Sequence, residues 1–211
     1  ISGNASVLIN NSGSLDENKK MQLYEVIYDD SLWLINLVEN LLSVTRIEDG
    51  KMNLHLETEL IEEVINEALN HISHKKDEHR IEVKANDEFI LAKIDAGLII
   101  QVIINIVDNA IKYTPKGSMI SIETFKHKDF VEIQIADDGA GISDKDKEKL
   151  FEMFYTVKHE VIDGRRGLGL GLALCKAIIV AHGGNIAVKD NIPHGTIFSF
   201  TLPIKEVEIH E

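Results

Sequence analysis

The sequence is poor in cysteine, proline and tryptophan, with one, three and one of these residues among 211. The single thiol, Cys175, excludes an intramolecular disulfide framework and suits a reducing compartment. Because Cys175 lies in an apolar helical run, we expect it to be buried rather than to act as a nucleophile. We expect no apolar run to reach the roughly 18 residues that a membrane span requires, and we expect no signal peptide.

Basic residues are also scarce, with 22 Lys and Arg against 35 Asp and Glu and a net charge of −13. A protein that binds nucleic acid should be basic, so neither DNA nor RNA is an expected partner. The apolar fraction of 44% is sufficient for a hydrophobic core. Because the sequence begins with Ile1 rather than methionine, we expect it to be a piece of a longer protein.

The first 49 residues predict a helical hairpin. A short apolar helix ends at the stop signal 10–13, and Ser14 with Glu17 matches a capping box that opens a helix reaching about Glu48. The apolar stripe of this long helix is wider than one coiled-coil seam. We expect it to need the missing part of the first helix and a second copy of the chain, as in a four-helix bundle. A core helix buried within one molecule is the alternative.

Residues 50–211 form a separate expected domain, because Asp49-Gly50 ends the long helix. Alternating apolar residues indicate strands, and apolar residues at three- and four-residue steps indicate helices. Three histidines, His71, His74 and His79, are expected at a solvated helix end rather than in a metal site. The expected elements are a strand at 52–56, a helix at 61–72, strands at 80–85 and 89–94, a helix at 96–113 with Asp95 as N-cap, a hairpin at 120–135, a short helix capped by Ser143, a helix that carries Leu172 to Ile179 and ends at Gly183-Gly184, and strands at 185–190 and 196–203.

Three polar residues share one stripe of the helix at 96–113, beside its apolar face. Asn105, Asn109 and Lys112 stand at positions i, i+4 and i+7. Two amides and an ammonium on a half-buried stripe are costly without partners. A triphosphate with Mg²⁺ would satisfy all three, since amide oxygens can ligate Mg²⁺ and lysine meets phosphate as a point charge. An ordinary polar helix edge is the alternative.

A carboxylate stands at the end of the second hairpin strand. The strand runs directly into Asp137, and Gly139 and Gly141 follow. A carboxylate followed by glycines that permit close approach can accept a hydrogen bond from a planar amine such as that of adenine. Because Asp-Gly is common in turns, an ordinary turn is the alternative.

Three glycines alternate with leucines from Gly167 to Gly171, and an apolar helix follows at once. Glycines let the backbone approach a ligand, and the helix start adds free N–H groups, so the stretch predicts an anion site, most naturally for phosphates. It fits neither the P-loop nor the dinucleotide fingerprint. The charged residues 158–166 before it are interpreted as a lid. A flexible hinge before a buried helix is the alternative.

In this order, the pieces resemble the ATP-binding domain of sensor histidine kinases of two-component systems. The resemblance implies an α+β fold, an α/β sandwich in which helices cover one face of a mixed sheet, preceded by a two-helix dimerisation hairpin. Within the family, residues 1–6 and 46–50 resemble the potassium-transport (Kdp-type) sensor kinases. The motifs matched are the asparagine box at 105–113, the first glycine box at 137–141, the phenylalanine box at 150–154, the second glycine box at 167–172 and the last glycine box at Gly195-Thr196.

The resemblance also implies residue roles, with ATP and Mg²⁺ as cofactors. Asn109, helped by Asn105, would hold Mg²⁺; Tyr113 would pack near adenine; and Asp137 would accept the adenine amino hydrogen. Arg165 or Arg166 could add charge in the lid. The full set of implied ATP-binding residues is Asn105, Asn109, Lys112, Tyr113, Asp137, Gly139, Gly141, Phe154, Lys158, Gly167, Leu168, Gly169, Leu170, Gly171, Leu172 and Thr196.

The implied reaction transfers the ATP γ-phosphoryl group to a histidine and then to an aspartate of a response regulator. The family's acceptor histidine precedes an acid and a nearby proline, and no such sequence occurs here. His159-Glu160 is the nearest match but lies in the lid, so we expect the acceptor upstream of Ile1. The resemblance further implies a homodimer and a cytoplasmic position in a bacterial sensor whose membrane anchor lies elsewhere in the parent chain.

Two other functions are weighed against kinase activity. ATP hydrolases of the gyrase, Hsp90 and mismatch-repair type share the nucleotide boxes but place a glutamate where Asn105 stands. An amide cannot act as a general base at neutral pH, so Asn105 favours a kinase. A dimerisation module with an inactive nucleotide site is the third possibility, and the intact asparagines and glycines argue against it.

Overall fold

A computed structural model describes residues 1–11, 13–48, 54–72, 79–84, 89–157 and 169–204, with the side chains of 29, 32, 33, 36, 37 and 39–48 left undescribed. The chain divides into two compact units, Ile1–Thr45 and Arg46–Glu211. The expected domain boundary, between residues 49 and 50, falls outside the described residues.

The first unit contains α1 (Ser2–Asn11) and the long helix α2 (Glu17–Glu48). The predicted capping box is wrong, because Asp16 rather than Ser14 caps α2. The Asp16 carboxylate accepts from the Lys19 N–H at 2.7 Å, since it directly precedes the first helical residue. The Ser14 hydroxyl instead donates back to the Asn11 carbonyl.

The second unit is an α+β domain, as predicted. Its strand near 52–56 is wrong in position: residues 54–56 are not in a strand, and β1 covers 57–60, where it pairs with the four residues of β3. The elements are β1 (Glu57–Leu60), α3 (Ile61–His71), β2 (Arg80–Lys84), β3 (Leu91–Ile94), α4 (Ala96–Tyr113), β4 (Met119–Lys126), β5 (Phe130–Asp137), α5 (Asp144–Lys147), α6 (Gly171–Ala181), β6 (Ile186–Asp190) and β7 (Thr196–Pro203).

Five strands form a mixed sheet in the order β2-β4-β5-β7-β6, in which only the β2–β4 pair is parallel. β1 and β3 make a separate antiparallel pair. Alternate residues of the central strands are buried, which is the pattern of a sheet covered on one face. The cover consists of α3, α4 and α6, with α4 in the middle. The buried apolar residues of β4, β5 and β7 are Ile120, Ile122, Val131, Ile133, Ile135, Phe198, Phe200 and Leu202.

The helix α4 occupies the centre of the helical layer. Asp95 caps it as predicted, because its carboxylate accepts from the Leu98 N–H at 3.3 Å. With 18 residues and a mean hydropathy of 1.3, α4 is long and apolar enough to cross a membrane, so the expectation that no run reaches this length is wrong. Its apolar face is instead buried between α3 and α6 and against β4 and β5, so it serves as the core helix of the sandwich.

His182 joins the end of α6 to the start of α4. Its Nε2 accepts from the Asp95 N–H at 3.1 Å, and its Nδ1 lies 2.8 Å from the Ile178 carbonyl, to which it donates. We expect His182→Leu to lower the free energy of unfolding by about 1–2 kcal/mol, because the Asp95 N–H loses its acceptor. Urea unfolding of this variant beside the exposed His71→Leu measures the effect, and equal loss in the two would contradict it.

Candidate functional site

The polar stripe of α4 reaches the start of α6 through Asn105. Asn105 and Asn109 are both half-buried, as is Lys112. A Cβ atom on Gly171 would lie 3.3 Å from the Asn105 side-chain oxygen, so glycine at this position leaves room for the amide. The fold therefore brings one residue of the asparagine stripe against the end of the glycine-leucine stretch.

Cys175 lies one helical turn beyond Gly171 and is fully buried, as predicted. Burial raises the pKa of its thiol to about 12, so the thiolate needed for nucleophilic chemistry does not form near neutral pH. The thiol points to the Val102 carbonyl at 3.8 Å and also contacts the Asn105 amide. Cys175 thus belongs to the packing between α4 and α6.

Lys112 and Tyr113 close the C-terminal turn of α4. The Lys112 ammonium lies 5.1 Å from the centre of the Tyr113 ring, within the range of a cation–π contact. Tyr113 remains 39% exposed, and partial burial raises the pKa of its hydroxyl. An exposed ring face beside a cation is a surface on which a planar base can pack.

Asp137 is buried at the end of β5, although no basic side chain pairs with it in the described bonds. Its Oδ1 accepts from the Gly139 N–H at 2.9 Å and from the Thr196 N–H at 3.2 Å. Burial raises the pKa of the Asp137 carboxyl, and these two N–H bonds oppose the rise. Since the described bonds all reach Oδ1, the arrangement leaves Oδ2 to accept from a ligand.

The glycines after Asp137 are required by close contacts. A Cβ on Gly139 would lie 2.8 Å from the Thr114 methyl group and 2.9 Å from the Asp137 Oδ1. Gly141 has φ +78°, which disfavours a side chain, and a Cβ there would lie 3.2 Å from the Gly195 carbonyl oxygen. The first glycine box therefore lies against both the end of α4 and the start of β7.

The phenylalanine box meets the second glycine box at a strained backbone. The Phe154 N–H donates to the Gly169 carbonyl at 2.9 Å, and both residues have positive φ, +64° and +70°. A Cβ on Gly169 would overlap the Tyr155 carbonyl oxygen. Phe154 itself is 66% exposed. This contact joins the two segments that flank the predicted lid, whose residues 158–166 lie outside the described chain.

The remaining implied site residues divide into three groups. Leu170, buried at the start of α6, and the half-buried Leu172 pack the helix rather than present polar groups. Lys158, Gly167 and Leu168 fall outside the described residues. Thr196 is buried, and its N–H is part of the Asp137 site.

Sequence reasoning missed two residues that shape this site. Thr114 is buried at the end of α4, where its hydroxyl donates to the Ala110 carbonyl at 2.7 Å and its methyl group occupies the space that a Cβ on Gly139 would need. His79 is buried against Thr114, with Nε2 3.0 Å from the hydroxyl, so the expectation of a solvated histidine is wrong here. His71 is exposed as expected, and His74 lies outside the described chain. A buried turn residue gives no periodic signal in the sequence.

The described part of the chain holds no group of three His, Cys, Asp or Glu side chains that could bind a metal ion alone. Among the described residues, the uncharged polar groups beside the expected phosphate site are amides. The half-buried Asn105 and Asn109 fit Mg²⁺ as ligands, because Mg²⁺ accepts few protein ligands and keeps water and phosphate oxygens.

Comparison with known proteins supports the same reading of the fold. Residues 94–206 match the family model described as "Histidine kinase-, DNA gyrase B-, and HSP90-like ATPase". The sensor protein KdpD of Clostridium acetobutylicum is 42% identical over 203 residues, which cover 96% of this chain and 23% of that protein. The chain thus spans about a quarter of that curated relative's length.

Two solved structures share the fold. The Acinetobacter baumannii histidine kinase AdeS superposes with a TM-score of 0.76 at 25% identity, covering 97% of this chain and 93% of that one. The histidine kinase ThkA, solved in complex with the response regulator TrrA, gives 0.70 at 24% identity and covers 97% of this chain and 57% of that one. The chain belongs to the histidine kinase-, DNA gyrase B- and HSP90-like ATPase family and carries the ATP-binding catalytic domain of a sensor histidine kinase.

Proposed function

We propose that this chain binds Mg-ATP and transfers the γ-phosphoryl group to a histidine, from which it passes to an aspartate of a response regulator. The observation that carries the proposal is the position of Asn105, whose amide lies against Gly171 at the start of α6. Hydrolases of this family place a glutamate there as a base. An amide positions groups without accepting a proton, which suits a kinase.

Adenine is held at the Asp137 end of the site in this proposal. Asp137 Oδ2 accepts from the exocyclic amine, while Oδ1 stays bound to two backbone N–H groups. Tyr113 packs against the base, and Gly139, Gly141 and Thr196 lie beside it. An acceptor aimed at the amino group selects adenine, because guanine presents a carbonyl oxygen at the same place.

The triphosphate lies between α4 and the start of α6. Lys112 meets phosphate as a charge, and the positive φ of Gly169 lets the backbone turn toward the ligand. Free N–H groups at the start of α6 add a second anion-binding element. Asn109, with Asn105, would hold Mg²⁺, whose charge would offset that of the phosphate oxygens when bound. The lid residues, with Phe154, Lys158, Gly167 and Leu168, complete the proposed site.

The transfer itself is a substitution at phosphorus. The bond between the γ-phosphorus and the β–γ bridging oxygen breaks, a phosphorus–nitrogen bond forms at the acceptor imidazole, and ADP leaves. The residues act by positioning and by offsetting charge, which carry most phosphoryl-transfer catalysis. Neither α1 nor α2 contains a histidine. We therefore place the acceptor outside these 211 residues, in the upstream part of the parent chain.

We further propose that residues 1–49 belong to a dimerisation hairpin and 50–211 to the catalytic domain. Apolar residues of α2 remain exposed, among them Met21, Tyr24, Val26, Leu34, Ile35 and Val38. A second copy of the chain would bury such a surface in a four-helix bundle. The response regulator as partner rests on the family and on the fold shared with ThkA, which was solved with TrrA.

Potassium signalling and membrane anchorage are the narrowest parts of the proposal. They rest on the 42% identity to KdpD, a protein of which this chain spans about a quarter. In that reading, the chain is the cytoplasmic portion of a membrane-anchored bacterial sensor.

We expect the 211-residue chain to bind ATP but not to label itself with γ-³²P-ATP, because the acceptor nitrogen must reach within about 3–3.5 Å of the γ-phosphorus. Of the described histidines, His79 and His182 are tied to Thr114 and Asp95. Joining the chain to the preceding segment of its parent should restore labelling, and Asn109→Ala in that longer chain should remove it. Acid-labile, base-stable label on the 211-residue chain would make an internal histidine the acceptor, with His159 the first to test.

A further inference from the structure

The turn between β6 and β7, residues 191–195, is hydrogen-bonded to the loop that carries Asp137. The Asn191 side-chain amide donates to the Asp137 carbonyl at 2.8 Å. The His194 ring nitrogen Nδ1 lies 2.8 Å from the Asp138 carbonyl, to which it donates. Three bonds thus join the two segments, since the Thr196 N–H also reaches the Asp137 carboxylate at 3.2 Å.

The turn fits this loop closely because it ends in glycine. Gly195 has φ +117°, and a Cβ there would overlap the Asp137 carbonyl oxygen. The Gly195 carbonyl accepts from the Asn191 N–H at 3.1 Å, which closes the turn on itself. The two ends of the turn therefore approach Asp137 together, one through a side chain and the other through a backbone N–H.

We infer that Asn191 is a positioning residue for nucleotide selection, which acts by docking the β6–β7 turn onto Asp137. This inference rests on the proposed role of Asp137 as the acceptor for the adenine amino group. Asn191 fixes the backbone of Asp137, and the docked turn supplies the Thr196 N–H that holds Oδ1. With backbone and Oδ1 both fixed, Oδ2 keeps one direction toward the base, and no reorganisation is needed when adenine arrives.

The position of Asn191 in the sequence does not reveal this role. The bond spans 54 residues, and Asn191-Ile192-Pro193 has the composition of an ordinary surface turn. Asn191 is half-buried, so its amide loses part of its water and needs the partner that the Asp137 carbonyl provides.

The test compares ATP with purine riboside triphosphate, which lacks the amino group and is otherwise the same ligand. A hydrogen bond to a carboxylate should favour ATP by about 10–100-fold in the unmutated chain. In Asn191→Leu we expect this ratio of dissociation constants to fall below about threefold, while the affinity for purine riboside triphosphate changes by less than about threefold. Asn185→Leu is the matched control, because the bonds of Asn185 to Thr201 are made by its backbone.

A general structural role predicts a different result. Loosened packing would weaken both nucleotides alike and leave their ratio unchanged, and that outcome would overturn the inference. If Asn191→Leu does not give a cooperative thermal transition, the smaller change Asn191→Ala is measured in the same way. Asp137→Asn tests the role of Asp137 separately from the role of Asn191. If the ratio of the two dissociation constants collapses in Asp137→Asn but not in the Asn191 variants, only the role of Asn191 is rejected. A ratio unchanged in both rejects the adenine assignment as well.

Discussion

Replacing Asn109 with alanine should raise the dissociation constant of Mg-ATP by at least about 100-fold and leave the fold intact. Asn109 is half-buried on the polar edge of α4, one turn from Asn105, and outside the apolar face that packs between α3 and α6. Changes to groups behind a metal ligand cost about 10–100-fold, so the loss of a ligand itself should cost at least the upper end. Alanine is also the better helix former, which removes helix disruption as an explanation.

The contribution of the metal is isolated by calorimetric titration of the protein with ATP, once in the presence of Mg²⁺ and once in the presence of EDTA. In the unmutated chain we expect Mg²⁺ to strengthen binding, and in Asn109→Ala we expect the two titrations to give the same weak affinity. Asn70→Ala, an exposed asparagine of α3, is the matched control and should behave as the unmutated chain. A variant that still responds to Mg²⁺ with unchanged strength would show that Asn109 is not a ligand.

The sheet and α4 could be predicted from the sequence because their signals are local. Strict alternation in 131–135 and 198–202 marks strands with one buried face, and Asp95 ahead of a regular apolar period marks the start of α4. Helix caps were harder to assign. Two acceptable caps, Ser14 and Asp16, stand two residues apart, and only the first helical residue decides between them.

The contacts that shape the candidate site were not predictable, because they join residues far apart in the chain. Asn191 reaches Asp137 across 54 residues and His79 reaches Thr114 across 35. Likewise, β1 is set by its pairing with β3 and not by the weak alternation before it. The glycines were predictable in part. Their presence in the sequence predicted a close approach of the backbone, but the group that approaches Gly139, the Thr114 methyl group, could be identified only from the fold.

Asp137→Asn should weaken ATP binding without lowering the melting temperature at neutral pH. The asparagine oxygen can still accept from the Gly139 and Thr196 N–H groups, so the loop retains both bonds. Its amino group then takes the place of Oδ2 and faces the adenine amine, donor against donor. We expect ATP to bind about 100-fold more weakly, since a buried polar group is left unpaired. Inosine triphosphate offers a carbonyl at the same position, so its affinity should fall less than that of ATP. The preference for ATP over inosine triphosphate should therefore fall to about threefold or less.

The stability of this variant follows from the direction of the pKa shift. Burial raises the pKa of the Asp137 carboxyl above its ordinary 3.8, so the folded state holds this proton more tightly than the unfolded state does. The free energy of unfolding therefore falls as pH rises from the pKa of Asp137 in the unfolded state to its pKa in the folded state. Above the folded-state pKa the loss is complete. Asparagine carries no charge, so its stability does not depend on this protonation. At neutral pH, Asp137→Asn should therefore have a melting temperature no lower than that of the unmutated chain. Below the unfolded-state pKa of Asp137, this gain in stability over the unmutated chain should vanish. A lower melting temperature at neutral pH would mean that the carboxylate stabilises the loop, and the weaker ATP binding would then reflect a damaged fold rather than a lost acceptor.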